Sequence, residues 1–349
     1  MRAGFVAHGC PFYDALGAAL VVDIEHDGPA GRVLAPYAHA PFEDAYILRL
    51  LAGMHRMVIA GDAPALAAHY PATGGEATGG EGDAPAAFVV IQEMLREPPP
   101  EVLEMFARPP QTNEVGRSAA LASGLLVVAD VLGLPLSVRE IGSSAGLNLR
   151  LDRYWYEQDG AGWGSTASAV RFVDQWRGGT PPFGADLEIA DRRGCDRDPI
   201  DATSTAGALT LLSYIWPEPP ERFVRARDAI AAARDVPVTI DRADALGWVP
   251  EQLANRPSGT ALVVMHSVMW QYLDAATQRA IRDSLSDAGR AATPDAPVAW
   301  VRLEPNEELY VPAELRVSIW EGHAREPREQ LLATSGFHGG ELTWVAGIA

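Results

Sequence analysis

The stretch of this chain best suited to chemistry is Glu140-Ile-Gly142-Ser143-Ser144-Ala-Gly146-Leu-Asn148. Glu140 closes an apolar run that starts at Leu136, so it stands at a strand tip, where it can accept hydrogen bonds from a ligand's amine or hydroxyls. Gly142 can take backbone angles that a side chain forbids, and Gly146 lets a ligand or a neighbouring backbone come close. The same letters carry a second chemistry. Gly142-Ser-Ser144-Ala-Gly146 has the outline G-x-S-x-G, in which Ser144 would be a hydrolase nucleophile, with Asp244 as the acid and His323 or His338 as the histidine. They also suit a plain strand–helix turn.

Other polar residues fall where a ligand at that loop would meet them. Asn113, Glu114 and Arg117, at i, i+1 and i+4, open an apolar helix and form a substrate-contact patch; Thr112 or Asn113 also reads as its N-cap, with Glu114 suited to the helix dipole. Asp196, at the tip of a second strand, is the carboxylate a ribose diol needs, and equally a turn former. Asp244 can accept from an adenine amino group or cap the next helix. His266 follows the apolar run 261–265 and so stands at the end of a central strand, with Trp270 and Tyr272 just beyond. Tyr154, Tyr156 and Trp163 read as packing, or as aromatic faces overhanging a cationic ligand.

The elements that must position these residues alternate strand and helix from Leu136 onward. Strands are expected at 136–141, 187–195, 237–241, 261–265 and 297–303, with two more at 315–320 and 341–345. The alternation predicts an α/β fold with a doubly wound, Rossmann-like, mostly parallel sheet, whose strand tips share one edge. A β-hairpin is expected as an insertion at about 154–176. Residues 1–133 read as a helical region that would cover the strand tips, with helices over 41–60, 84–96 and 101–107; residues 134–349 read as the Rossmann-like domain. The segment 71–83, rich in glycine and threonine, reads as a flexible loop.

Composition bounds the partners. The 349 residues can bury a large core. A net charge of −18 disfavours nucleic acid and anionic membranes. Two cysteines, Cys10 and Cys195, make no disulfide framework and suit a reducing, cytoplasmic setting. The start of the chain lacks the long apolar core of a signal peptide. The apolar run 119–136 is broken by Asp130, Gly133 and Pro135, which suits a buried helix better than a membrane span. The scattered histidines give no metal-ligand spacing.

Two resemblances follow from these residues. Glu140-x-Gly142-x-x-x-Gly146 resembles the first motif of class I S-adenosylmethionine (SAM)-dependent methyltransferases. Gly194-Cys-Asp196 is similar to their ribose acid, Asp244-Ala245 to their adenine contact, and Val264-Met-His266-Ser to their motif after the fourth strand. The resemblance spans roughly residues 134–349, and the inserted hairpin departs from it. It implies SAM as cofactor, held by Glu140, Gly142, Ser143, Ser144, Gly146, Asn148, Asp196, Asp244, Ala245 and His266. Asn113, Arg117, Trp270 and Tyr272 would then contact a small-molecule acceptor, and His266 or Glu114 would act as base. The chain as a whole resembles the uncharacterised bacterial domain-of-unknown-function family 2332. That likeness rests on Cys10-Pro-Phe-Tyr13, Gln111 to Arg117, Glu140 to Asn148, Arg193 to Pro199, Leu211 to Pro217 and His266 to Tyr272, and it implies no activity. The leading expectation is a SAM-dependent methyltransferase. Its rivals are a SAM- or nucleotide-binding module without catalysis and a serine hydrolase using Ser144.

Overall fold

Strand β1 (Leu136–Ile141) is buried along its whole length, as a strand covered on both faces must be. The computed structural model describes residues 5, 9–41, 44–71, 82–306 and 312–345. After β1 come three short strands in a small sheet of their own: β2 (Trp155–Gln158), β3 (Ala161–Gly164) and β4 (Arg171–Val173). The remaining strands join β1: β5 (Trp176–Arg177), β6 (Ile189–Asp196), β7 (Thr239–Arg242), β8 (Ala261–Ser267), β9 (Val298–Pro305), β10 (Ala313–Trp320), β11 (Arg328–Ser335) and β12 (Leu342–Trp344). Together they make a nine-stranded sheet in the order β5-β12-β11-β10-β9-β8-β1-β6-β7.

The sheet has two characters. Strands β7, β6, β1, β8 and β9 are parallel neighbours. From β9 the chain runs on as an antiparallel meander through β10, β11 and β12. At the far edge β5 pairs parallel with β12, so the fold is α/β with a mixed sheet in which most pairings are parallel and the meander is antiparallel. β11 leaves no clear strand signal in the sequence because it opens on the polar Arg328-Glu-Gln, with Arg328 and Glu329 exposed. The insertion lies within the expected bounds but holds three strands rather than a two-stranded hairpin. β2 pairs with β3 antiparallel and with β4 parallel, and Tyr156 stacks on Phe172 with ring centroids 5.1 Å apart. Tyr154 and Tyr156 are buried there as packing residues, each hydroxyl donating to a main-chain carbonyl, of Leu147 and Leu151 respectively.

The chain forms two compact units, Met1–Thr112 with Ala202–Ile230, and Asn113–Asp201 with Ala231–Ala349. The division differs from a cut at residue 133. Helix Ser118–Leu132 belongs to the sheet unit, because nearly all of it is buried against β9 and β10. Its apolar window, Val115–Leu132, is long enough to cross a membrane, but 83% of it is buried inside the fold, as in a core helix.

The other unit is helical. Helix Tyr46–Ala60 starts later than 41, and Gly61 ends it in a left-handed cap. Two sequence-distant motifs meet in this unit: Phe12 N–H donates to Glu218 Oε2 at 2.8 Å, and Phe5 packs edge-on to Trp216 at 4.8 Å. The Cys10-to-Tyr13 and Leu211-to-Pro217 segments are therefore core of this unit. The loop read at 71–83 lies almost entirely outside the described residues.

Candidate functional site

In the parallel half of the sheet the chain moves from β1 outward through β6 to β7, then returns to β8 on the other side of β1. Such a reversal leaves a crevice at the carboxyl ends of β1 and β8. The glycine loop occupies that end. Gly142 has φ +68° and is exposed, while Ser143 through Asn148 are buried. The loop is fastened to β6. Ser143 N–H donates to the Cys195 carbonyl at 3.0 Å, Ser144 N–H to Asp196 Oδ2 at 2.8 Å, and Ile200 N–H to the Ser144 carbonyl at 3.1 Å. Gly194 makes this possible, since a Cβ there would collide with the Ser143 side chain. The helix expected after the loop is a 3-10 turn, Asn148–Arg153.

The residues before helix Ser118–Leu132 hold the loop from its other side. Asn113 Oδ1 accepts from Leu147 N–H at 2.8 Å, and Ser118 Oγ donates to Asn148 Oδ1 at 2.7 Å. Asn113 is thus a clamp on the loop, and Glu114 is the N-cap, accepting from Gly116 N–H at 3.0 Å. The other oxygen of Glu114 lies 3.6 Å from His338 Nδ1. Arg117 donates to the Phe337 carbonyl at 2.8 Å and the Ser267 carbonyl at 3.2 Å.

Glu140 sits inside this frame, 2% exposed, with its Oε2 lacking any hydrogen-bond partner among the described residues. Burial pushes its carboxyl up to about 8, helped by the charge of Asp196. Ser143 and the cations of Arg117 and Arg150 pull the other way. Asp196 is half-buried, its two oxygens accepting from Ser144 N–H and, at 2.9 Å, Asp198 N–H. Asp244 caps helix Ala245–Ala254 through Leu246 N–H at 2.9 Å and pairs with Arg197 at 2.8 Å. Those two contacts hold its carboxyl below the usual carboxylate range. Gly146 faces the side chains of Val238 and Ile240.

His266 belongs to a different environment. Glu140 pairs with Met265 across β1 and β8, so His266, one residue on, points to the opposite face of the sheet. There its Nε2 accepts from Trp300 Nε1–H at 2.9 Å, and its Nδ1 lies 2.6 Å from Glu304 Oε1. An indole N–H is a donor only, which fixes the tautomer: Nε2 is the acceptor, so Nδ1–H donates to Glu304. Glu304 also accepts from Met269 N–H and Trp270 N–H, at 3.2 and 3.3 Å. Trp270 stacks on the imidazole at 4.9 Å, and Tyr272 is exposed at the surface.

The structure therefore gathers Asn113, Glu114, Arg117, Glu140, Ser143, Ser144 and Asn148 into one set of contacts. It puts Asp196 and Asp244 at neighbouring strand ends and His266 with Trp270 on the other face. His266, wholly buried with both nitrogens engaged, has no lone pair directed at a ligand. Of the hydrolase residues, Ser144 has a positive φ of 52°, His323 is exposed, and His338 lies against Glu114. Sequence reading missed Trp300 and Glu304, the partners of His266. The signal was the strand alternation Trp300-x-Arg302-x-Glu304, which places all three side chains on one face.

The chain matches the model of a family described as "Uncharacterized protein conserved in bacteria (DUF2332)" over residues 3–344. It belongs to that family, whose model spans both units. No curated protein and no solved structure matches it.

Proposed function

We propose that this chain binds SAM at the carboxyl ends of β7, β6, β1 and β8 and transfers its methyl group to a small molecule in the cytoplasm. The observation that carries the reading is Glu140, a buried carboxyl at the tip of the central strand with one oxygen unpaired, beside the exposed Gly142. Leaving a buried polar atom unmade costs about 1–3 kcal/mol. A ligand's ammonium or hydroxyl groups would supply the missing donor.

The surrounding residues suit the rest of an adenosyl ligand. Each oxygen of Asp196 accepts one protein N–H, and a carboxylate oxygen has capacity for a second donor, so both can still take ribose hydroxyls. Ala245 opens its helix, so its N–H has no carbonyl behind it and can donate to an adenine ring nitrogen. The Asp244 carboxylate is committed to its cap and to Arg197, which makes the main chain of Ala245 the better adenine contact. When bound, SAM supplies an electrophilic methyl on a sulfonium. The chain's own part is placement: Asn113 and Asn148 hold the loop, Gly142 admits the ligand, and Glu140 orients its amine. With both nitrogens of His266 engaged, no proton-removing step is assigned to it.

The test is thermal unfolding with SAM, S-adenosylhomocysteine and NAD. A ligand at 100 times its dissociation constant adds about 2.7 kcal/mol. The midpoint rises with SAM and S-adenosylhomocysteine, stays put with NAD, and the rise disappears in Glu140→Ala. A rise with none of the three, or one that survives in Glu140→Ala, refutes this site.

A further inference from the structure

We propose a second ligand site, separate from the Glu140 crevice: a cavity on the His266 face of the sheet that takes the carboxylate or phosphate group of a small anion. The cavity has a volume of about 570 Å³, inside the roughly 300–1,000 Å³ range of small-molecule sites. β9, β10, β11 and helix Ala275–Arg290 contribute its walls.

Three arginines converge on it from three elements: Arg282 from the helix, Arg302 from β9 and Arg316 from β10. Two are held by aromatic rings. The guanidinium of Arg282 lies 5.2 Å from the ring centroid of Trp270, and that of Arg302 lies 4.1 Å from the ring of Trp300. Trp270 and Trp300 are themselves fixed by His266. Arg302 spends its Nη donors on Ser318 and Glu329, whereas Arg282, seated on an aromatic face, keeps the donors around its edge as a fork for an oxyanion.

The lining charges balance, three arginines against three glutamates, so the unspent donors decide which ligand the cavity accepts. Three glutamates also line it, and each is already engaged. Glu304 accepts from His266 and two main-chain N–H groups. Glu314 pairs with Arg316 Nε at 2.6 Å. Glu329 pairs with Arg302 at 2.6 Å and lies 3.9 Å from Arg316 Nη1. Arg282 makes no ion pair among the described residues, and the Nη groups of Arg316 make no hydrogen bond among them. What the cavity leaves open is therefore guanidinium N–H donors, on Arg282 and on the Nη edge of Arg316, and such donors suit an anion. An anion bridging Arg282 and the Nη edge of Arg316 would complete both.

The test is calorimetric titration of the whole protein with inorganic phosphate and with succinate, each at matched ionic strength against sodium chloride. At least one binds saturably with one site, and whichever binds tighter assigns the group as phosphoryl or carboxylate. Arg282→Ala and Arg316→Ala each weaken that binding about tenfold or more, the scale of a lost charge-assisted contact. Arg282→Lys recovers only part of it, because an ammonium lacks the fork. Arg282 is exposed on its helix, so its removal leaves the fold intact, and unchanged unfolding midpoints of the variants check this. SAM-induced stabilisation persists in Arg282→Ala, so the two sites fail separately. Saturable binding of neither anion, or equal binding by wild type and Arg282→Ala, overturns the proposal.

Discussion

Glu140 and His266 are one step apart along paired strands, both buried, and in opposite conditions. His266 has a donor on one nitrogen and an acceptor on the other, and its acceptor, Glu304, is shared with two main-chain N–H groups. Every polar atom of that cluster has a reason to be where it is without any ligand. Glu140 has an oxygen with no partner and a carboxyl displaced to about 8, burial being the largest cause. Native proteins pair nearly all buried polar atoms. The unpaired one is therefore the better mark of a site than the histidine, although histidine is the residue type with the stronger reputation for chemistry. Burial of a titratable group does not separate a structural role from a functional one, whereas the inventory of its partners does.

The contrast breaks most visibly at Glu304. Glu304→Ala leaves Nδ1–H of His266 and the N–H groups of Met269 and Trp270 without an acceptor, and at about 1 kcal/mol or more for each orphaned donor should cost about 3 kcal/mol in urea unfolding. A loss below about 1 kcal/mol would mean the His266 cluster is no more satisfied than Glu140. Glu140→Gln should act in the opposite direction. Its carboxyl is raised in the folded chain, to about 8, above the unfolded value near 4.5, so the folded state holds its proton more tightly. That contribution is fully present below about pH 4.5 and is lost as pH rises through 8, with a slope of at most about 1.4 kcal/mol per pH unit. The glutamine variant has no such loss. It should gain on wild type as pH rises and exceed it by about 2 kcal/mol at pH 9, read from unfolding midpoints across pH. Parallel pH profiles would show that Glu140 ionises normally. Gly194→Ala tests the loop that shelters Glu140. Its new Cβ strikes the Ser143 side chain, and overpacking of this kind costs about 1–3 kcal/mol. A neutral result would show the loop free to lift from β6.

The parallel half of this sheet was legible in the sequence because each of its strands is an apolar run ended by a polar residue or a turn. Leu136–Ile141 has the expected bounds, and β8 and β9 extend only two residues past theirs. The meander was less legible. β11 alternates weakly and opens on two exposed charged residues, and β5 is two residues long, so neither leaves a periodic signal. The glycine loop and its neighbours Asn113, Asn148 and Asp196 were also legible as residues at strand and helix ends, but not their jobs. Asn113 reads in the sequence as a cap or a ligand contact, and in the fold its Oδ1 accepts from Leu147 N–H. A side chain's partner across 34 residues depends on packing that spacing does not encode. The face of His266 follows from Glu140 pairing with the residue just before it, a pairing that the sequence does not carry. What hid the outcome was register, because a shift of one residue in the β1–β8 pairing would have put both groups on the same side.

The finest comparison within the His266 cluster is Trp300→Phe. The substitution keeps a six-membered ring and removes the five-membered half of the indole, with the Nε1–H that donates to His266 Nε2. If that bond fixes the tautomer, its loss costs about 1 kcal/mol, on top of the packing lost with the smaller ring, and frees Nε2 as an acceptor while the Nδ1–Glu304 contact stays. Nitrogen chemical shifts of His266 would read this directly: the protonated nitrogen stays Nδ1 in wild type and variant, and only the Nε2 signal moves, toward that of a free imine nitrogen. A variant in which the proton leaves Nδ1 for Nε2 would show that Trp300, rather than Glu304, sets the tautomer. A variant in which neither signal moves would show that the indole contributes packing alone, and the paired character of this cluster would then rest on Glu304.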